Sequence, residues 1–227
     1  PRDTFPEGLT LVAPVSPTND NTPSYSGTAR DVPVAAHSNF TSKGFQSVSI
    51  NKVASVKWRI GSGTATTVAA APADVFAAAF AFTTSALADG TRVVNVAAVN
   101  AVGNEDATPL SHTIVIDTVA PTVAVLTPTA GNAYVGPVGV ALAAASPNPW
   151  IVGPVLDATA SAGAGTGTAI AKVEFYDDGV LFMTDATAPY EGVGVTTALG
   201  GTHTLLVKAY DAAGNTASAS RTYDKKP

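Results

Sequence analysis

Polar and apolar residues alternate along most of this chain. In VASVKWRI (53–60), Val53, Ser55, Lys57 and Arg59 fall on one side of an extended segment. Ala54, Val56, Trp58 and Ile60 fall on the other. A period of two marks a half-buried strand, and Trp58 is its predicted core anchor. The same reading predicts strands in LTLVAP (9–14), SYSGTA (24–29), TATTVAA (64–70), TRVVNVAAV (91–99) and SHTIVID (111–117). Further on it predicts them in VAVLTP (123–128), VGVALAAAS (138–146), VLDATAS (155–161), YEGVGVTT (190–197), HTLLVKAYD (203–211) and ASASRTYD (217–224). AKVEFYDDGVLFMTD (171–185) is two alternating runs around Asp177-Asp178-Gly179, a hairpin whose glycine supplies positive φ. VFAAAFAF (75–82) reads as a strand, or as a single helical turn before one, and FQSVSI (45–50) as an extra strand. No helix of convincing length is predicted. Many short strands separated by Gly, Pro, Asn and Asp indicate β-sandwiches.

The chain divides at IVIDTVAPTVAVLTP (114–128). One alternating run stops at Ile116, and Pro121 opens the next. Proline is tolerated at the first residue of a strand and pushes its predecessor toward extended geometry. The predicted organisation is an arm at 1–8, one domain at 9–118 and a second at 121–227.

The halves repeat each other. VNVAAVNAVGNE (94–105) lies over LLVKAYDAAGNT (205–216) at an offset of 111, which places Asn100 on Asp211, Gly103 on Gly214 and Asn104 on Asn215. SVKWRI (55–60) lies over KVEFYD (172–177) at an offset of 117, which makes Trp58 and Phe175 equivalent. One fold is used twice in series.

These residues carry a resemblance. KVEFYDDGVLFMTDATAPYEG followed by GTHTLLVKAYDAAGNTASAS closely resembles the bacterial Ig-like domains of secreted enzymes and surface proteins, over roughly 154–224. TNDNTPSYSGTA (18–29), VKWRI, ADGTRVVNVAAVNAVGNE and IDTVAPTV resemble the Ig-like repeats of large bacterial adhesins, over 9–123. The resemblance implies an all-β fold of two tandem immunoglobulin-like β-sandwich domains, extracellular and non-catalytic. Segments 33–52 and 129–153 are longer than such repeats need.

Composition narrows the function. Charged residues make up only 13% of the chain, against about 25% in typical domains. Low charge favours close association with neighbours, and a neutral secreted surface is the plainer reading. Net charge is −5 with no basic patch, which disfavours nucleic acid. No run of apolar residues is long enough for a membrane span. There are no cysteines, so disulfides and thiolate metal sites are excluded. The chain starts at Pro1 without an initiator Met or signal peptide, which reads as a processed product or a fragment. NFT (39–41) fits a glycosylation sequon, although an unmodified loop is the simpler reading.

No catalytic constellation is visible. His37, His112 and His203 are scattered, and no GxSxG, HExxH or P-loop occurs. GAGTG (163–167) lacks the strand–loop–helix context of a phosphate site and reads as a loop. Calcium is the one plausible ligand, because Asp and Asn oxygens with loop carbonyls are hard donors. The candidates are Asp117 at the joint, Asn104, Glu105 and Asp106 in the adjacent loop, and Asp211 and Asn215 in the second copy. The resembling adhesin repeats hold calcium near their junctions. The alternative is that these residues only shape turns. Trp150 is a candidate sugar platform or subunit contact, with burial in a satellite cluster as the alternative.

The expected role is an extracellular, cell-surface spacer or assembly subunit of an adhesin, filament or layer. The alternative is an accessory, glycan-binding module of a secreted polysaccharide-degrading enzyme. The expected partners are other copies of the chain or neighbouring domains of a larger surface protein. Contact is expected through the arm or through the 33–52 and 129–153 insertions, because exposed sandwich edges are templates for an added strand.

Overall fold

Most of the strand-period sequence becomes strand in the computed structural model, which describes residues 8–30, 52–72, 76–142, 146–195 and 200–227. Of the run predicted at 138–146, Val138–Ala141 is strand and 143–145 lie outside the described residues, as do 196 and 197 of the run at 190–197. Residues 1–7, FQSVSI and the NFT sequon lie outside the described residues, as does nearly all of the 33–52 insertion. Among the described residues there is no α-helix, and so none long and apolar enough to cross a membrane. The first compact unit ends at Ile116 and the second begins at Asp117.

In the first unit, β1 (Leu9–Val12), β2 (Ser24–Arg30) and β5 (Ala77–Thr83) form one antiparallel sheet in the order β1-β2-β5. The alanine-rich segment is therefore strand, and its alternate residues Ala78, Phe80 and Phe82 are buried. The facing sheet has the order β4-β3-β6-β7, from β3 (Val53–Ile60), β4 (Thr66–Ala69), β6 (Gly90–Asn100) and β7 (Leu110–Ile116). Trp58 stacks on Phe82 across the sandwich with ring centroids 4.8 Å apart, and Tyr25 stacks on the same Phe82 at 5.2 Å. Val53, predicted on the polar side, is fully buried. The register of β3 on β6 shifts between Val53 and Ser55, and such a bulge re-aims the side chain before it.

The second unit repeats this plan. β8 (Thr122–Thr127), β12 (Val155–Gly163) and β15 (Tyr190–Val195) make a sheet of order β15-β12-β8. β13 (Ile170–Asp177), β14 (Val180–Asp185), β16 (Gly201–Asp211) and β17 (Thr216–Lys226) make the facing layer. The bulge recurs at the equivalent place, between Ile170 and Lys172. Phe175 occupies the Trp58 position and is fully buried with Val173, Leu205, Val207 and Tyr223.

The 129–153 insertion is where the second unit differs. It supplies β9 (Asn132–Val135), β10 (Val138–Ala141) and β11 (Trp150–Val152). β11 pairs in parallel with β17 and β9, which widens the layer to seven strands in the order β10-β9-β11-β17-β16-β13-β14. Ile151 and Tyr134 anchor this extension in the core, at 0% and 5% exposure.

Candidate functional site

The repeated hairpin loop places most of the predicted ligands. In the first unit the Asn100 side-chain oxygen accepts the N–H groups of Val102 and Asn104, at 3.2 and 2.9 Å. In the second, Asp211 Oδ1 accepts those of Ala213 and Asn215, at 3.0 and 2.8 Å. The backbone bonds match too. Asn100 N–H donates to the Asn104 carbonyl at 3.0 Å and Asp211 N–H to that of Asn215 at 3.1 Å. Ala101 N–H reaches the Lys52 carbonyl, and Ala212 N–H reaches that of Ala169. Gly103 and Gly214 close the loops at φ 91° and 93°, where a side chain would be strained. An Asx residue that accepts backbone N–H groups two and four residues on is a turn-former.

In the second unit Asp117 and Asn215 join this loop to the segment entering β8. Asn215 Nδ2 donates to the Asp117 carbonyl at 2.8 Å and to Asp211 Oδ2 at 2.9 Å. Asp117 Oδ1 accepts from Val119 N–H at 3.0 Å, and Oδ2 from Thr168 N–H at 2.6 Å. Thr168 Oγ1 in turn accepts from Ala213 N–H at 3.2 Å. The carboxylate rests on Gly167, where an added Cβ would lie 2.9 Å from both its oxygens. The glycine-rich segment therefore cradles a side chain of the chain itself. Burial pushes the Asp117 carboxyl up, but the donors from Thr168 and Val119 outweigh it and hold the group below its ordinary value.

Asn104, Glu105 and Asp106 belong to the first unit. Glu105 pairs with Lys57 at 3.0 Å, and Asp106 Oδ1 accepts from the N–H and hydroxyl of Thr108 at 2.8 and 2.9 Å. Among the described residues no group of three or more His, Cys, Asp or Glu side chains is arranged to hold a metal ion. The oxygens of Asp117 and Asp211 already face N–H donors. We expect the same melting temperature in calcium and in chelator, measured by differential scanning calorimetry. A rise with calcium would return these residues to the ligand reading.

Trp150 is half-buried on the outer face of β11, opposite in direction to buried Ile151. Lys226 Nζ stands 4.9 Å from its ring centroid, and Asn148 donates to Asp224 beside it at 3.2 Å.

One network was not singled out in the sequence. Lys172, Glu174 and Tyr176 alternate along β13 and so share a face. Glu174 accepts from Lys172 Nζ at 2.5 Å and from Tyr176 OH at 2.6 Å, while Lys172 and Lys208 flank the Tyr210 ring. Burial raises the Glu174 carboxyl, but its hydrogen bonds from Lys172, Tyr176 and Tyr210 win and bring it down to about 2. A carboxyl depressed in the fold stabilises above its unfolded pKa, and that contribution fades as pH falls toward the folded value. Glu174→Gln should therefore flatten stability between about pH 4.5 and pH 2, followed by urea denaturation across that range. An unchanged profile would remove Glu174 from the acid limb.

Residues 154–207 match the family model described as a bacterial Ig domain. The resemblance read from the second half is thus borne out over that span. No curated protein sequence matches the chain. Among solved structures, the chain is similar to the fibronectin(III)-like modules of Clostridium thermocellum CbhA, at 20% identity over 96% of this chain and 94% of that one, with a TM-score of 0.55. It is also similar to a tetra-tandem repeat in the extending region of a large adhesion protein, at 18% identity over 96% of this chain and 49% of that one, with a TM-score of 0.32. The first likeness supports the fold: two immunoglobulin-like, all-β sandwiches.

Proposed function

We propose that this chain is a non-catalytic structural module of a larger bacterial surface protein, serving as an extracellular spacer or assembly subunit. The observation that carries this reading is the paired Asx loop. Asn100 in one unit and Asp211 in the other spend their oxygens on the same backbone N–H groups. Asp106 and Asp117 likewise accept backbone N–H groups within their own units, and Glu174 accepts from the side chains of Lys172 and Tyr176 on its own strand. Polar groups used to fix loops serve shape rather than reaction. Electron microscopy and surface labelling of the native material test the proposal. Regular polymers or a labelled cell surface support it, and a purely intracellular pool overturns it.

A second reading, a glycan-binding accessory module of a secreted polysaccharide-degrading enzyme, rests on Trp150 and its place on an outer sheet face. Lys226 covers part of that ring, which leaves less of it to stack on a sugar. Binding on a glycan array that disappears on Trp150→Ala would favour this reading, and we expect no such binding.

A further inference from the structure

The seven-stranded sheet ends at β10, and β10 is unlike the other edges of its unit. At the opposite end of that sheet, β14 carries Asp185 and pairs with β13 through a register shift at Phe175/Tyr176. In the smaller sheet, β15 carries Glu191, and Arg221 Nη2 donates to the Val125 carbonyl of β8 at 3.0 Å. Charges, bulges and capped carbonyls are among the devices by which proteins blunt sheet edges. β10 is short and follows Pro137, but it carries no charge, bulge or capped carbonyl. The sequence holds no Asp, Glu, Lys, Arg or His anywhere between Asp117 and Asp157.

The register shows which backbone groups β10 presents. Val138 faces Val135, Val140 faces Ala133, and Leu142 N–H donates to the Gly131 carbonyl at 2.8 Å. Alternate residues of an antiparallel strand bond to opposite sides. Val138, Val140 and Leu142 therefore bond inward to β9, and the N–H and C=O groups of Gly139 and Ala141 point away from the sheet. The side chains follow the same parity. Gly139 lies over the Tyr134 ring on the inner face. Val138 and Val140 stand on the outer face with Val135, at 61%, 60% and 64% exposure. Trp150 and Val152 continue that apolar surface along β11.

We propose that β10 is a homotypic docking edge, at which two copies of this chain pair antiparallel about a two-fold axis through Val140. Gly139 then faces the partner's Ala141, each exchanging both N–H···O bonds. Val140 meets the partner's Val140, and the two apolar surfaces become one. An open strand edge selects an extended backbone, and the lack of charge selects a partner edge equally uncharged. A second copy of β10 supplies both, and a closed two-fold contact is self-complementary. This deepens the assembly reading above and rests on it. A monomer that still sits on the cell surface would refute the contact and leave that reading standing.

The chain has no cysteine, so a single introduced thiol reports cleanly. Across the axis the two Val140 residues form a non-hydrogen-bonded pair with Cα atoms about 4.5 Å apart, within disulfide reach. Under mild oxidation, Val140→Cys should form disulfide dimers well above Val15→Cys, a control at a still more exposed loop residue of the first unit. In sedimentation the parent chain should dimerise with concentration up to about 1 mM, where millimolar affinities register. Val140→Lys brings like charges face to face and should raise the dimer Kd about a hundredfold. Ala141→Pro, which removes an outward N–H and no bond to β9, should weaken it too. Circular dichroism on each variant confirms the fold. Cross-linking no greater than the control, a monomer at all concentrations, or dimers that survive Val140→Lys would each overturn the proposal.

Discussion

Phe175→Ala should destabilise the second unit by about 3–5 kcal/mol, the usual cost of emptying a buried aromatic site. Phe175 is fully buried between the two sheets of its unit. Its ring lies directly on β15 at Gly192, where an added Cβ would come within 2.5 Å of the ring. That contact makes the prediction specific. Gly192→Ala alone forces the ring off its seat, and overpacking of this kind costs about 1–3 kcal/mol. In the Phe175→Ala background the same methyl enters vacated space. The double variant should therefore be more stable than the sum of the two losses implies, with a coupling of about 0.5–3 kcal/mol. Urea denaturation monitored by Trp150, which lies in the same unit, measures all three midpoints. Additive losses would show that the ring does not rest on Gly192. Trp58→Ala is the matching change in the first unit, where the ring stacks on Phe82.

That Trp58 and Phe175 are equivalent was legible, because strand period and a constant offset need only local sequence. The loops at Asn100 and Asp211 were legible for the same reason: Asx, glycine and Asn recur at fixed spacing, and the structure repeats their bonds. Faces were harder to read where strands bulge. Strict alternation places Val53 on the polar side, and one register shift sends it inward. Partners were harder still. A period of two says which residues share a face and nothing about which strand lies beside which. The parallel pairing of β11 on β17 joins Trp150 to Asp224, and no spacing marks it. The Glu174 network failed to show for a related reason, since Tyr210 comes from another strand. Asp117 stood out at the joint, yet its partner Thr168 lies far along the chain. Its role in holding the entry to β8 needed the fold.

Removing the Asp211 side chain should have the second large effect, and it separates shape from charge. Asp211 is 4% exposed and accepts from Ala213 N–H, Asn215 N–H and Asn215 Nδ2. Asp211→Ala strips acceptors from donors in a buried loop, where each unsatisfied group costs about 1–3 kcal/mol. The expected loss is about 2–4 kcal/mol after water reaches some of them. Asp211→Asn should recover most of it, because Asn100 already performs the same double acceptance at the equivalent place in the first unit. The remaining deficit falls on Oδ2, where an Asn amide nitrogen would face the Asn215 amide donor; adding Asn215→Asp in that background remakes the 211–215 bond but sets a carboxylate oxygen against the Asp117 carbonyl that Asn215 Nδ2 now serves, so it should not recover the loss. Thermal melts of the three variants rank them. If Asp211→Asn is as damaging as Asp211→Ala, the carboxylate is required as a charge, and the loop in the second unit does more than close a turn.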